Sequence, residues 1–357
     1  MTAPKYKVTL KTFALSFVGL AVFFVYLYIF NVDILEIIHK VRQVNLHYYI
    51  LAVAVTILDT SFFAMAWHSL LRFLSVKISL FKSFLFVWVG IFVDTIIPVE
   101  SVSGEVTKIY LVNNEQNGSA GKATASVVAQ RLIGMGINVA TLLAGGVLLL
   151  IEGLLSGLIL SLILLLIIMT SIFLFLILVL CTKENWTLRI VEALIHFAER
   201  ITRGHWKLGK LREEVTEATR AFHIAVKEYV RAPRTLFLAS FFSAISWILA
   251  LAILYLTFLT VGYSQISWGV ILVTSAIFTA VKSVPVGIPF EVGLPDITLT
   301  TLLILFGVPP DVSATVVILS RLLTLWMRFF IGFAAQQWVG IKAITTESTG
   351  TIGDPHH

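Results

Sequence analysis

Arginines and carboxylates stand in this chain where an apolar sequence should not carry them. Arg131 lies inside the apolar run from about Ala123 to Ile151, and Arg321 inside the run from about Val312 to Trp338. A planar guanidinium can hold a phosphate through two parallel N–H donors, which a lysine cannot imitate. Around these arginines the sequence supplies Asp94, Glu105, Lys108, Lys282, Glu291, Asp296 and Arg328. Each charge costs roughly 2.5–3.5 kcal/mol at the centre of a bilayer, so most must meet a counter-charge or water. The alternative to phosphate binding is internal pairing, Arg131 with Glu105 and Arg321 with Asp296 or Glu291. The two assignments are compatible, because a phosphate could displace an internal carboxylate. Lys108 and Lys282 could instead reach an interface with their long stems. Arg328 follows Arg321 by seven residues, which predicts the same helical face, or else an anchor at the cytoplasmic end. Asp59, among Ile57, Leu58, Phe62 and Phe63, is expected to face other helices and hydrogen-bond to one of them.

The elements that must position these groups follow from composition. Of 357 residues, 58% are hydrophobic and 13% charged, with a mean hydropathy of +0.95, far from a soluble domain. Phe13 to Phe30, Ile50 to Leu74, Ala140 to Leu180 and Leu236 to Val261 each contain or exceed the roughly 20 apolar residues that span about 30 Å of hydrocarbon as helix. Lys5, Lys7 and Lys11 precede the first run, which is too long for a cleaved leader and is expected to stay as a span. Trp67, Trp88, Trp247, Trp268, Trp326 and Trp338 mostly fall near predicted span ends, where indoles are expected to form interfacial belts.

Loop charge sets the orientation. The stretch Thr182 to Arg234 is rich in Lys and Arg and is expected in the cytoplasm. Within it Leu188, Val191, Leu194 and Ile195, and then Leu208, Leu211, Val215, Phe222 and Tyr229, recur at helical spacing. They predict two amphipathic helices, either on the membrane surface or as a solvated hairpin. Phe81 to Val112 must begin and end on the cytoplasmic side, yet it is too short for two spans; a re-entrant pair of half-helices turning around Pro98 to Gly104 resolves this. Trp268 to Val308 should enter and leave from outside in the same way, broken by Pro285, Pro289 and Gly293. Pro98 to Arg131 covers 33 positions and Pro289 to Arg321 covers 32. Ser126-Val-Val-Ala-Gln-Arg131-Leu also resembles Val316-Val-Ile-Leu-Ser-Arg321-Leu. Weak symmetry around broken segments marks an inverted repeat with its site near the midplane.

The expected architecture is therefore an all-α polytopic membrane protein with about six full spans and two re-entrant hairpins in an inverted repeat. Its parts are a first membrane half, 1–181, with its hairpin at about 81–112, then a cytoplasmic basic linker, 182–234. A second half, 235–344, has its hairpin at about 268–308, and a disordered tail follows at 345–357. Both termini are expected in the cytoplasm and the protein in the plasma membrane. One cysteine, Cys181, excludes an internal disulfide, and no Cys/His grouping has zinc spacing, so no metal and no cofactor are expected. The formal charge of +6 comes with no nucleic-acid-binding motif, so nucleic acid is not an expected partner.

These residues resemble a known family, the lysylphosphatidylglycerol synthase transmembrane region, also called the flippase-like or UPF0104 family. Its first signature, a Pro followed by Gly-Gly-Glu and a basic residue, looks like Pro98, Ser103-Gly104-Glu105 and Lys108. The second, approximately Pro-x-x-x-Pro-Gly-Gly-x-Gly-x-x-Glu with a downstream Arg, is similar to Pro285, Pro289-Phe290-Glu291-Val292-Gly293, Asp296 and Arg321. Ser103, Phe290, Glu291 and Asp296 depart from the pattern. The resemblance extends to the flippase half of the multiple peptide resistance factor, and it implies movement of a lipid head group between leaflets. The expected cargo is a phospholipid, glycolipid or polyprenyl-phosphate, held by Arg131 and Arg321, with Glu105, Lys108, Glu291 and Asp296 beside them. Membrane lipids are the expected partners, with a cytoplasmic synthase or glycosyltransferase, or a second copy of the chain, as further candidates. Nothing after Trp338 has the length of an aminoacyl-transfer domain, so this chain is not expected to be an enzyme; an intramembrane lipid-modifying activity is the competing expectation. No Gly-rich nucleotide loop occurs, so transport would be passive or ion-coupled.

Overall fold

The computed structural model describes residues 44–97, 102–201, 209–282 and 294–350, which are helical apart from their turns. Five of the described helices are long and apolar enough to cross a bilayer, and the protein is membrane-integral. In chain order they and their shorter neighbours are α1 (Leu46–Phe73), α2 (Leu80–Ile96), α3 (Ser103–Glu115) and α4 (Ala120–Ile151), then α5 (Gly157–Thr182), α6 (Glu184–Ile201) and α7 (Gly209–Val230). After these come α8 (Pro233–Thr260), α9 (Trp268–Lys282), α10 (Leu294–Leu305), α11 (Pro310–Arg321), a π-helical segment (Leu322–Met327) and α12 (Arg328–Gly350). The first apolar run, Phe13 to Phe30, lies outside the described residues.

Local sequence explains where the helices start. Asn45 accepts from His47 N at 3.2 Å, Ser79 from Lys82 N at 3.2 Å and Ser156 from Ile159 N at 3.4 Å, each relieving an orphan donor. Pro233 and Pro310 open α8 and α11, where a missing N–H is harmless.

Two sets of four helices then match. Their lengths run 28, 17, 13 and 32 residues for α1 to α4, against 28, 15 and 12 for α8 to α10 and 31 for Pro310–Gly340. The turns match too. Ser75 and Gly262, each two residues beyond the first helix of its set, have φ of 59° and 81°, and Gly118 and Gly307, just before the last helix, have 78° and 84°. Glycine enters that left-handed region freely; Ser75 does so against its Cβ.

α1 and α8 lie antiparallel. Asn45 N donates to Thr260 O at 2.9 Å at one end, Ala52 packs with Ile253 and Leu256, and Phe62 meets Phe242 further along. The short helices exchange partners: α2 packs on α12, and α9 packs on α4. A glycine permits each crossing. A Cβ on Gly332 would stand 2.5 Å from the Trp88 carbonyl oxygen, and one on Gly145 would stand 2.7 Å from Val273 Cγ2.

Three expectations change. Trp67 and Trp88 are fully buried and so are not interfacial, whereas Trp268, Trp326 and Trp338 remain outward. α7 docks on the protein: Thr219, Phe222, His223, Ala225 and Tyr229 are buried, and Gly121 lets the α7 backbone press against α4. His223 Nδ1–H donates to Cys181 O at 3.0 Å, and Tyr229 Oη–H to Leu70 O at 2.9 Å. Burial, with Glu228 beside it, pushes the Tyr229 phenol above its ordinary pKa, which keeps it a neutral donor. An amphipathic pattern records only that one face is covered; here protein covers it. Finally, α12 continues through Gly350, into the polar segment expected to be irregular from Thr345.

Candidate functional site

Among the described residues, several of the charged residues singled out by type gather in three clusters on and beside the short helices. In the first, α2 and α3 form an antiparallel hairpin. Lys82 Nζ meets Glu115 Oε2 at 2.5 Å at its open end, and Lys77 N donates to Gln116 Oε1 at 2.8 Å nearby. At the closed end Asp94 Oδ1 accepts from Ser103 Oγ at 2.7 Å and from Gly104 N at 2.6 Å. Asp94 thereby caps α3 from the neighbouring helix, where a carboxylate also opposes the positive end of the helix dipole. Gly104 has to be glycine: a Cβ there would fall on the Asp94 carboxylate and the Gly90 carbonyl. The serine that departs from the family pattern, Ser103, completes this cap.

The second cluster lies one turn further along α3. Lys108 is buried, so it does not extend to an interface. Its Nζ stands 2.8 Å from Glu105 Oε2, 4.9 Å from the Trp67 ring centroid and 5.4 Å from that of Phe63. An ion pair and two aromatic faces together offset the loss of water around the ammonium. Trp67 Nε1 donates to Ser126 Oγ at 3.0 Å, and Gln130 Nε2 to Phe63 O at 2.9 Å, which ties α1 to α4 beside Arg131. Arg131 is half-buried.

The third cluster belongs to the second set of helices. Arg321 Nε stands 2.8 Å from Asp296 Oδ1, joining α11 to α10, and both side chains are over nine-tenths buried. Of the pairings expected from sequence, Arg321 with Asp296 is present. Glu105, expected opposite Arg131, meets Lys108. Lys282 sits half-buried in the last turn of α9, its Nζ 5.8 Å from the Phe278 ring centroid. Pro98, Pro285, Pro289, Glu291 and Gly293 lie outside the described residues.

Arg328 departs from the expected face. The π-helical segment Leu322–Met327 separates it from Arg321 and breaks the seven-residue register of a regular α-helix. Arg321 consequently turns to α10, while Arg328 Nη2 pairs with Asp59 Oδ2 on α1. Ser246 Oγ donates to the other Asp59 oxygen at 2.6 Å. Asp59 does bond across helices, as its burial demanded, but Ser246 carried no signal of its own. Position supplies one in retrospect: Asp59 and Ser246 are the fourteenth residues of α1 and α8, and they meet at the centre of the antiparallel pair.

With this geometry in place, similarity to known proteins becomes interpretable. The family profile described as the lysylphosphatidylglycerol synthase TM region matches residues 15–332. The chain belongs to this family. Among similar members is a UPF0104 membrane protein of Pyrococcus horikoshii, 23% identical over 90% of this chain and 96% of the relative. Another, from Methanocaldococcus jannaschii, is 24% identical over 93% of this chain and 95% of the relative. A third, from Methanothermobacter thermautotrophicus, is 24% identical over 85% and 89%. Membership in this family accords with a lipid-related function in the membrane.

Proposed function

We propose that the protein is a lipid translocator that passes a phosphate-bearing head group between leaflets through a polar interior shared by the two sets of four helices. In this reading α1–α4 and α8–α12 form an inverted repeat, the hairpins α2–α3 and α9–α10 are re-entrant from opposite sides, and a first span precedes α1 to give about six. The antiparallel α1–α8 pair, the matched helix lengths and the exchanged packing of α2 and α9 support it. At 1.5 Å per residue, α2 and α3 reach about 25 and 20 Å, short of the roughly 30 Å of hydrocarbon.

The observation that carries the functional reading is the buried Arg321–Asp296 pair behind the second hairpin. A guanidinium paired there with the Asp296 carboxylate is stable without substrate, and a phosphate arriving from the membrane can replace that carboxylate with two parallel N–H···O bonds. Arg131 holds the corresponding place in the first repeat. Glu105 and Asp296 then either return to their basic partners or meet a cationic head group.

Purified protein in liposomes carrying fluorescent head-group lipids tests the proposal. Chemically unchanged lipid crossing leaflets is the expected result. Altered lipid would point to an intramembrane enzyme, and inactivity until a soluble synthase is added would point to a docking role. Cysteine labelling in cells tests the orientation: Gly118 should be reached from the cytoplasm and Asn45 from outside.

A further inference from the structure

The last span is held at two places, and the turn between them is not a regular helix. On one side Arg321 Nε pairs with Asp296 Oδ1 at 2.8 Å, and Tyr49 Oη–H donates to Leu319 O at 3.4 Å. On the other, Gly332 presses on the Trp88 carbonyl of α2, and Phe333 meets Phe92 at 5.7 Å between ring centroids. The π-helical segment Leu322–Met327 lies between these contacts. It takes up one residue more than an α-helix needs to join the same two places. Thr324 Oγ1–H donates to Ser320 O at 2.9 Å, which gives that carbonyl a partner outside the backbone ladder.

The surplus residue sets where Arg328 points. Seven α-helical steps bring a side chain back to within about 20° of its starting face. With one residue absorbed by the π turn, six steps count, and Arg328 lies about 120° from Arg321. It therefore meets Asp59 on α1. With the π turn on the far side of Arg328, the guanidinium would share the Arg321 face, about 10 Å further along the axis. Both sets of holding contacts would stay in place. Of the residues that turn, Leu322, Leu323, Leu325, Trp326 and Met327 are apolar and Thr324 is uncharged. Such residues exchange bundle for lipid at little cost, because lipid tails are as apolar as leucine. Arg328 is the one charge in 322–328, so the charges on its two sides decide where the turn sits.

We infer that this π turn migrates and carries Arg328 between two stations, Asp59 at the α1–α8 centre and the Arg321 face, so that an anion received at Arg321 loosens the link between the two sets of helices. Ser246 continues to donate to Asp59 after Arg328 leaves. The migration stands on the helix geometry alone, and the coupling to an anion rests on the translocator reading.

Hydrogen exchange of the full chain in lipid nanodiscs tests the migration. Asp59→Asn weakens one station and should speed amide exchange at 322–328 at least tenfold. With Thr324 also deleted the segment has no surplus residue, and Asp59→Asn should change exchange there less than twofold. Deletion of Trp326, whose side chain is exposed, serves the same purpose if the first deletion lowers the thermal midpoint. Equal acceleration with and without the deletion, or none in either, would overturn the migrating turn whether or not the protein moves lipid.

Transfer of a fluorescent phospholipid between the leaflets of liposomes tests the coupling. Asp59→Asn should keep transfer within twofold, because Arg328 still reaches the Arg321 face. Asp59→Asn combined with Arg328→Gln should slow it at least tenfold at an unchanged thermal midpoint. Equal transfer by the two variants would overturn the coupling, since a static cross-link is lost in both alike. No transfer by the unmodified protein would overturn it together with the translocator reading, and the exchange result would still decide whether the turn moves.

Discussion

The two sets of four helices share lengths, turns and crossing glycines, yet they neutralise charge differently. Among the described residues of α1–α4 the buried basic–acidic pair lies within one helix, Lys108 with Glu105, the α2–α3 pair of Lys82 with Glu115 is exposed, and Asp94 is consumed in capping α3. In α8–α12 the pairs bind helices together: Arg321 reaches α10 and Arg328 reaches α1 in the other set. A repeated framework fixes where helices run and leaves each copy free to place its charges. The first copy keeps its buried pair local. The second uses its arginines as cross-links, so losing an arginine there should cost more than losing the lysine in the first.

The largest effect is expected from Arg328→Ala, which strands the Asp59 carboxylate with the Ser246 hydroxyl donating to it. Breaking one side of a buried pair costs about 3–5 kcal/mol, visible as a large drop in the thermal midpoint of the detergent-solubilised protein. Adding Asp59→Asn should recover most of it; no recovery would mean the pair is not what Arg328 serves. Next is Gly104→Ala, whose new methyl must displace the Asp94 cap or the α2 backbone, at a cost of about 1–3 kcal/mol. Lys108→Met sharpens the comparison, because it keeps an apolar stem against Trp67 and Phe63 and leaves Glu105, whose side chain is 24% exposed, able to reach solvent. A loss well below that of Arg328→Ala is expected, and an equal loss would erase the distinction between the copies. The smallest effect is Tyr229→Phe, which removes the hydroxyl bond from α7 to Leu70 O and should cost about 1 kcal/mol in the same melt.

Much of this framework was legible in the sequence because hydrophobic length and loop charge act over whole segments. The short helices at 80–96, 103–115, 268–282 and 294–305 fall where runs too short to span were broken by Pro and Gly. Side-chain partners were less legible. The Arg321–Asp296 pair followed from two charges that had to meet inside an apolar bundle. The Asp59–Arg328 pair did not follow, because it depends on a π-helical turn that no Pro or Gly in Leu322–Met327 announces. Nor could spacing tell a lipid-covered face of α7 from a protein-covered one, because that depends on what the other helices leave uncovered.

The central claim is that Arg131 and Arg321 hold the phosphate of a moving lipid. Its most direct test is leaflet-to-leaflet transfer of a fluorescent phospholipid in liposomes by Arg131→Ala, and by Arg321→Ala combined with Asp296→Asn so that no carboxylate is stranded. Each should insert normally and lose transport, and full activity in both would contradict the account.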